Sequence, residues 1–260
     1  MTDYSRVTIG EQRCEDFAPA EGYHNSKPQE SRERIINGAS YRDCSTVCLT
    51  PTPASGFLHY KVADSQANIL RPMNQKYAPM RITGMEVADA YNTGLSTIFD
   101  SPDLAKWKFV LTWEHDNVAP PDGLIRLAKT MYGGPWAAVG GLYWTKGEDG
   151  QPMIYGDPRD PEIGWRPQPP EPEAVQECRG VGMGFTLWDL KLFKDKRLGP
   201  PWFRTVQDWN PYEGAKAGTQ DLEFCKRAGE LGYRFAVDTS VRVGHVQLEA
   251  TPTHPAGFVW

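Results

Sequence analysis

Apolar and polar positions along the chain fall into two rhythms, one of period two and one near 3.6, and these predict its elements. The run STVCLTPTP over 45–53 is short, β-prone and closed by prolines, so it predicts a buried strand ending in a loop. A helix-compatible stretch follows over 57–70, and Pro72 and Pro79 predict a loop. Over 84–99, Met85, Ala88, Leu95, Ile98 and Phe99 recur at helical spacing. The segment FVLTW over 109–113 predicts a strand, followed at once by an acidic cluster. Pro120-Pro121-Asp122 opens a predicted helix through Leu124, Leu127 and Met131. Another strand is predicted over 137–144, then a proline-rich loop over 152–172. The stretch 177–193 reads as a glycine-rich loop or strand followed by a helix, and 219–231 as a helix ended by Gly232. Two further strands are predicted over 233–237 and 241–246. Strands alternating with helices predict an α/β sandwich. Residues 1–40 are polar and charged, with a KPQESRER run over 27–34, and read as an N-terminal extension or arm. A single domain is expected over 41–260, without internal repeats.

Composition narrows the class. The 260 residues are 40% hydrophobic and 23% charged, a globular balance able to bury a sizeable core. No apolar run approaches the ~18 residues of a membrane span. The N-terminus lacks a basic segment followed by an apolar one, so no secretory signal is expected and a cytoplasmic location is. The five cysteines, Cys14, Cys44, Cys48, Cys178 and Cys225, are odd in number and scattered, which fits reduced thiols. No second cysteine pair or nearby histidine completes a zinc site with Cys44 and Cys48. The formal net charge of −5 argues against a protein coated in positive charge for nucleic acid, though not against a local basic groove. Nine Trp, 11 Tyr and 10 Phe beside 22 Pro and 25 Gly fit either an aromatic core with ordered loops or a site that stacks on rings.

Three clusters carry candidate chemistry. Glu114-His115-Asp116-Asn117 ends an apolar strand, where open α/β sheets bind ligands, and carboxylates there suit a hard divalent ion. Taken alone, the cluster is also a solvated acidic turn. Thr219-Gln220-Asp221 opens a helix, and alone it reads as capping. Gly244-His245 ends a strand, and a lone histidine is more often structural than a ligand.

Their order along the chain resembles the GT-A glycosyltransferases, in particular the family 2-like enzymes and the small glycosyltransferases encoded by bacteriophages. The resemblance covers about residues 45–246 and implies a GT-A, Rossmann-like sandwich with a central mixed sheet. Glu114-His115-Asp116 then stands at the DxD motif, with Glu in place of the first Asp. Glu114, Asp116 and the C-terminal His245 become the expected ligands of Mn²⁺ or Mg²⁺. Gln220-Asp221-Leu222-Glu223-Phe224-Cys225-Lys226-Arg227-Ala228 matches the family's later acidic motif and helix, with Gln220 for the usual Glu, and puts Asp221 at the general-base position. Thr50-Pro51-Thr52 falls at the nucleotide-binding loop, Asn92 in an A-x-N element beside the donor, and Gly182-Met183-Gly184 in the segment lining the donor sugar.

The implied activity is metal-dependent, inverting transfer of a sugar from a nucleoside diphosphate, with a UDP-sugar as first expectation, to an acceptor hydroxyl. A hydroxymethylated pyrimidine in phage DNA is one acceptor candidate, which would place the protein in the host cytoplasm. Lys191, Lys194, Lys196 and Arg197 near the glycine-rich segment, with Arg32 and Arg34, would serve that acceptor or form a solvated face. Trp113, Trp144 and Trp202 are candidates for stacking or for the core. The alternatives are a non-catalytic nucleotide-sugar or carbohydrate binder that has kept the fold and, ranked last, a metal-dependent phosphohydrolase or nucleotidyltransferase.

Overall fold

The strand predicted over 45–53 forms as β1 (Thr46–Thr52), buried along its whole length. In the computed structural model, residues 8–9, 12–13, 42–210 and 214–260 are described. They divide into two units, Met1–Arg42 and Asp43–Trp260. In the first, Thr8–Ile9 pairs antiparallel with Gln12–Arg13. The rest of the expected arm, Arg32 and Arg34 included, lies outside the described residues.

The second unit continues through α1 (Tyr60–Asn68), β2 (Tyr77–Thr83), α2 (Val87–Asp100), β3 (Phe109–Trp113), β4 (Asn117–Val118), α3 (Gly123–Gly133) and β5 (Trp136–Leu142). It is completed by β6 (Ile154–Tyr155), β7 (Val175–Cys178), β8 (Gly180–Val181), β9 (Phe185–Asp189), α4 (Gln220–Glu230), β10 (Arg234–Arg242) and β11 (Gly244–His245). A further antiparallel pair joins Val206–Asn210 to Gly214–Gly218. Among the described residues the central sheet has seven strands in the order β2-β1-β3-β9-β5-β10-β7. β1 runs parallel to both β2 and β3, and β10 parallel to β5. β9 runs antiparallel to β3 and β5, and β7 antiparallel to β10. This is the mixed α/β sandwich that the GT-A resemblance implies.

Period-two alternation sorts the strand side chains onto two faces. Phe109, Leu111, Trp113, Phe185 and Leu187 pack with Leu124, Leu127 and Met131 of α3. Val110 and Trp188 point the other way, into a core shared with Tyr91, Leu95 and Ile98 of α2 and Phe224 and Ala228 of α4. At Gly94, helix and sheet approach so closely that a Cβ would stand 2.9 Å from Leu49.

Three expectations are corrected. Pro79 does not mark a loop: it lies within β2. That strand is at the edge of the sheet and pairs on one side only, where a missing N–H is tolerated. The stretch 177–193 contains no α-helix. Its FTLWD segment is β9, which fills the gap between β3 and β5, because it alternates faces and buries both of them. The two strands predicted over 233–237 and 241–246 are one long strand, β10, and the short β11. The polar Asp238-Thr239-Ser240, between the two predicted strands, is satisfied inside the sheet. Asp238 accepts from Thr130 Oγ1 at 2.6 Å and Ser240 Oγ at 2.5 Å, and Thr239 Oγ1 accepts from Ala174 N at 2.8 Å.

The proline-rich segment is pinned by two buried glutamines. Gln176 Nε2 donates to Gln168 Oε1 at 2.8 Å and to Pro169 O at 3.0 Å, and Gln176 Oε1 accepts from Glu171 N at 3.0 Å. No helix among the described residues is long and apolar enough to cross a membrane.

Candidate active site

The parallel strands β1, β2, β3, β5 and β10 all end at one edge of the sheet, and the acidic segment leaves β3 there. Glu114 N donates to Gly184 O at 3.1 Å, and Asn117 N to Glu114 O at 3.3 Å, so the chain turns tightly beneath the glycine-rich segment. β4 then pairs antiparallel with β11, His245 opposite Asn117. That pairing brings together Asp116 and His245, 129 residues apart in sequence. His245 Nε2 lies 3.2 Å from Asp116 Oδ2, and Nδ1 lies 2.8 Å from the carbonyl oxygen of Trp144. A carbonyl only accepts, so Nδ1 carries a proton and Nε2 is turned toward the carboxylate. Trp260 is tied to this strand, its N donating to His245 O at 3.0 Å.

A third group meets the same oxygen. Lys146 Nζ lies 2.6 Å from Asp116 Oδ2. Burial works against the Asp116 charge, but the hydrogen bonds and charges of His245 and Lys146 outweigh it and hold the carboxyl well below the usual range. Glu114 has the opposite fate. Burial, reinforced by the charges of Asp116 and Asp221, pushes it up to about 8, with Lys146 opposing. Asp221 is at the start of α4, 5% exposed, and accepts from Leu222 N at 2.8 Å on Oδ1. Burial raises its pKa, with the Thr219 hydroxyl and the Leu222 amide opposing. One carboxylate is thus held ionised beside two whose protons are held more tightly, which is how acid–base roles separate within a site.

The Glu114 shift has a measurable consequence. Between its ordinary 4.5 and about 8, the native state keeps a proton that the unfolded chain has lost. This contribution is fully present below 4.5 and is lost as pH rises toward 8, at up to about 1.4 kcal/mol per pH unit. Measured in chelator, wild-type stability is expected to fall across this window relative to Glu114→Gln. Parallel stability curves for the two proteins would contradict the assignment.

The remaining expected site residues divide. Gly182 and Gly184 lie against Tyr143, where a Cβ would stand 2.2 Å from its hydroxyl and 2.6 Å from its Cζ respectively, and Met183 is buried between them. Gly184 N donates to Tyr143 Oη at 2.9 Å. Thr50, Pro51 and Thr52 close β1 at the site edge. The two hydroxyls are already engaged: Thr50 Oγ1 with Gln66 Nε2 at 3.5 Å, and Thr52 Oγ1 with Thr83 Oγ1 at 2.8 Å. Asn92, expected beside the donor, clamps the Phe203 backbone. Its Nδ2 donates to Phe203 O at 2.8 Å and its Oδ1 accepts from Phe203 N at 3.0 Å. Trp113 and Trp202 are core residues whose indole N–H groups bond Asn117 O and Phe193 O. Trp144 is partly buried and offers its carbonyl to His245. The basic cluster is not beside the glycine-rich segment. It follows Asp189, which pairs with Phe109 at the opposite edge of the sheet. There Lys194 Nζ bonds Ala105 O at 2.6 Å, and Arg197 pairs with Asp195. A cleft of about 560 Å³ lined by Trp165, Arg179 and Arg234 also lies at that far edge, where β10 begins.

Among the described residues, no three His, Cys, Asp or Glu side chains gather closely enough to hold an ion by themselves. Of the expected ligands, Asp116 and His245 meet, and Glu114 does not complete a trio with them. Two protein ligands still fit Mg²⁺ or Mn²⁺, which commonly take one or two side chains plus phosphate oxygens and water. Three further residues went unselected in the sequence: Lys146, Tyr91 and Tyr143. Lys146 follows a predicted strand end, the edge where such sheets bind ligands, and that position was its one signal. Tyr91 and Tyr143 look like ordinary core aromatics. Burial raises both phenols, as do the charges of Glu114 and Asp221, and among the described residues the Tyr91 hydroxyl and the Asn117 amide are buried without a hydrogen-bond partner.

No protein-family model matches the chain, and no curated protein matches it. Among solved structures it is similar to A197 from STIV, with 15% identity, covering 77% of this chain and 85% of that one, at a TM-score of 0.53. It is also similar to GalNAc-T7, solved with UDP, GalNAc and Mn²⁺, with 10% identity, covering 79% of this chain and 44% of that one, at a TM-score of 0.47. The third is S. aureus TarS 1-349, solved with UDP-GlcNAc, with 12% identity, covering 76% of this chain and 57% of that one, at a TM-score of 0.42. The chain therefore spans less than two thirds of the latter two. The likeness to A197 is one of fold.

Proposed function

We propose that the chain is a metal-dependent glycosyltransferase that moves a sugar from a nucleoside diphosphate, a UDP-sugar first among them, to an acceptor hydroxyl with inversion. The observation that carries the reading is the meeting of Asp116 and His245 on one carboxylate oxygen at the carboxyl edge of the sheet, within a field shared by Glu114 and Asp221. Asp116 Oδ2 and His245 Nε2 would hold the ion, and the donor diphosphate and water would fill its other positions. When bound, the ion supplies Lewis-acid neutralisation of the leaving diphosphate. Asp221 takes the acceptor proton. It accepts from Leu222 N on Oδ1, which orients the carboxylate at the helix start, and its raised pKa brings it closer to the working pH of a general base. Attack from the face opposite the diphosphate gives inversion. Gly182 and Gly184 keep Tyr143 against the backbone and so shape the floor of the site.

The DNA acceptor has less support than the sugar donor, since the basic cluster after Asp189 is at the far edge of the sheet. If a hydroxymethylated pyrimidine is the acceptor, duplex binding will weaken steeply with salt. A thermal-shift screen of UDP-, GDP- and other nucleotide sugars, with and without Mn²⁺, tests the donor. A UDP-sugar with Mn²⁺ is expected to raise the melting temperature, because ligands that bind the native state stabilise it. No shift with any nucleotide sugar would sink the reading. Binding with neither transfer nor hydrolysis would favour the non-catalytic alternative.

A further inference from the structure

We infer that Lys146 is the resident counter-ion of Asp116: it holds the carboxylate oxygen in the donor-free protein and gives it up to a divalent ion, moving toward the donor diphosphate as it leaves. The inference rests on the metal-dependent reading above and adds an exchange of cations to it. Lys146 Nζ stands 2.6 Å from Asp116 Oδ2, and His245 Nε2 stands 3.2 Å from the same atom. An ion bridging His245 Nε2 and this carboxylate must take Oδ2, the oxygen that the imidazole faces. It would bind at about 2.0–2.2 Å, so an ammonium that kept its 2.6 Å contact with the same oxygen would stand no more than about 4.8 Å from the ion. A divalent ion and an ammonium that close, on a largely buried carboxylate, repel, and the doubly charged ion takes the oxygen. Occupancy is therefore exclusive.

The fold lets the side chain move without the loop. Thr145 N donates to Gln151 O at 2.9 Å, Gln151 N to Thr145 Oγ1 at 2.8 Å, and Gly150 N to Gly147 O at 3.0 Å, so the turn that carries Lys146 is closed at its base. The lysine side chain is 28% exposed and has a route into solvent. Its flexible stem and compact point charge can leave one oxyanion for another by rotamer change alone, which a bidentate arginine does less readily. In the unloaded site the ammonium adds to His245 in offsetting the Asp116 carboxylate, which lies in a field shared with Glu114 and Asp221.

Mn²⁺ binding, followed by electron paramagnetic resonance on the nucleotide-free full chain, separates this role from a static ion pair. Lys146→Gln is expected to bind Mn²⁺ on the order of tenfold more tightly than wild type, since a competing cation has been removed. Lys146→Arg keeps the charge and is expected to bind Mn²⁺ no more tightly than wild type. Asp116→Asn should abolish binding in either background. With Mn²⁺ present, UDP should bind Lys146→Gln several-fold more weakly. Equal or weaker Mn²⁺ binding by Lys146→Gln, or wild-type Mn²⁺ binding by Asp116→Asn, overturns the exchange. If Mn²⁺ binding responds as expected while no nucleotide sugar shifts the melting temperature, the donor reading fails and the exchange stands.

Discussion

Asp221→Asn is expected to lower sugar transfer about 10²–10⁴-fold, the usual contribution of a positioned general base. The loss should fall on kcat, with the donor KM little changed, because Asp221 is on α4 and is not one of the two residues, Asp116 and His245, proposed to hold the ion and diphosphate. Asparagine keeps the shape of the side chain and still accepts from Leu222 N, so local structure is preserved. The buried carboxylate has a pKa above its ordinary value, which means that ionisation costs the native state free energy near neutral pH. The asparagine variant should accordingly be no less stable than wild type at pH 7, which separates chemistry from misfolding. In wild type, the rate should rise with pH through the titration of the base. Full transfer by Asp221→Asn, or a product that retains the donor's anomeric configuration, would remove Asp221 from the base role.

Trp188→Ala is expected to produce the largest loss of stability, about 3–5 kcal/mol. Trp188 is fully buried, and its ring meets Phe193, Phe203, Phe224 and Phe235 at centroid distances of 5.9, 6.2, 5.8 and 6.2 Å. Its indole N–H donates to Thr112 Oγ1 at 3.0 Å. No neighbour can collapse into the space without breaking this aromatic cluster, so the cavity persists. For a domain of this size the melting temperature should fall by roughly 6–20 °C. Phe224 is on α4 and Phe203 is clamped by Asn92, so the same substitution loosens the helix that carries Asp221. Phe57→Ala serves as the contrast. Phe57 is 80% exposed, and its loss should change stability by no more than about 0.5 kcal/mol. A small effect at Trp188 would mean that the α4 side of the sheet is repacked in solution.

These two positions differ in how legible they were. Asp221 is readable because a helix start, an acid and the order of motifs coincide in a local pattern. Trp188 sits in a segment that reads locally as a helix, and its place in a central strand depends on β3 and β5, from distant parts of the chain. The edge position of Pro79 is equally invisible, since whether a missing N–H matters depends on which side of the strand is paired. The partner of Asn92 is just as invisible, since its amide bonds the Phe203 backbone, 111 residues away.

The sequence by itself determined the alternation of strands and helices, the acidic turn after the 109–113 strand, the helix that opens at Gln220-Asp221 and the place of His245 after the last long strand. All of these are local patterns of period, capping and polarity. Only the tertiary structure decided that β9 is a central antiparallel strand, that the basic cluster faces away from the site, and that Lys146 and His245 meet on one oxygen of Asp116. The physical reason is range. Periodicity and capping act over a few residues, whereas strand order, register and the pairing of charges are set by surfaces that come together only when the sheet closes.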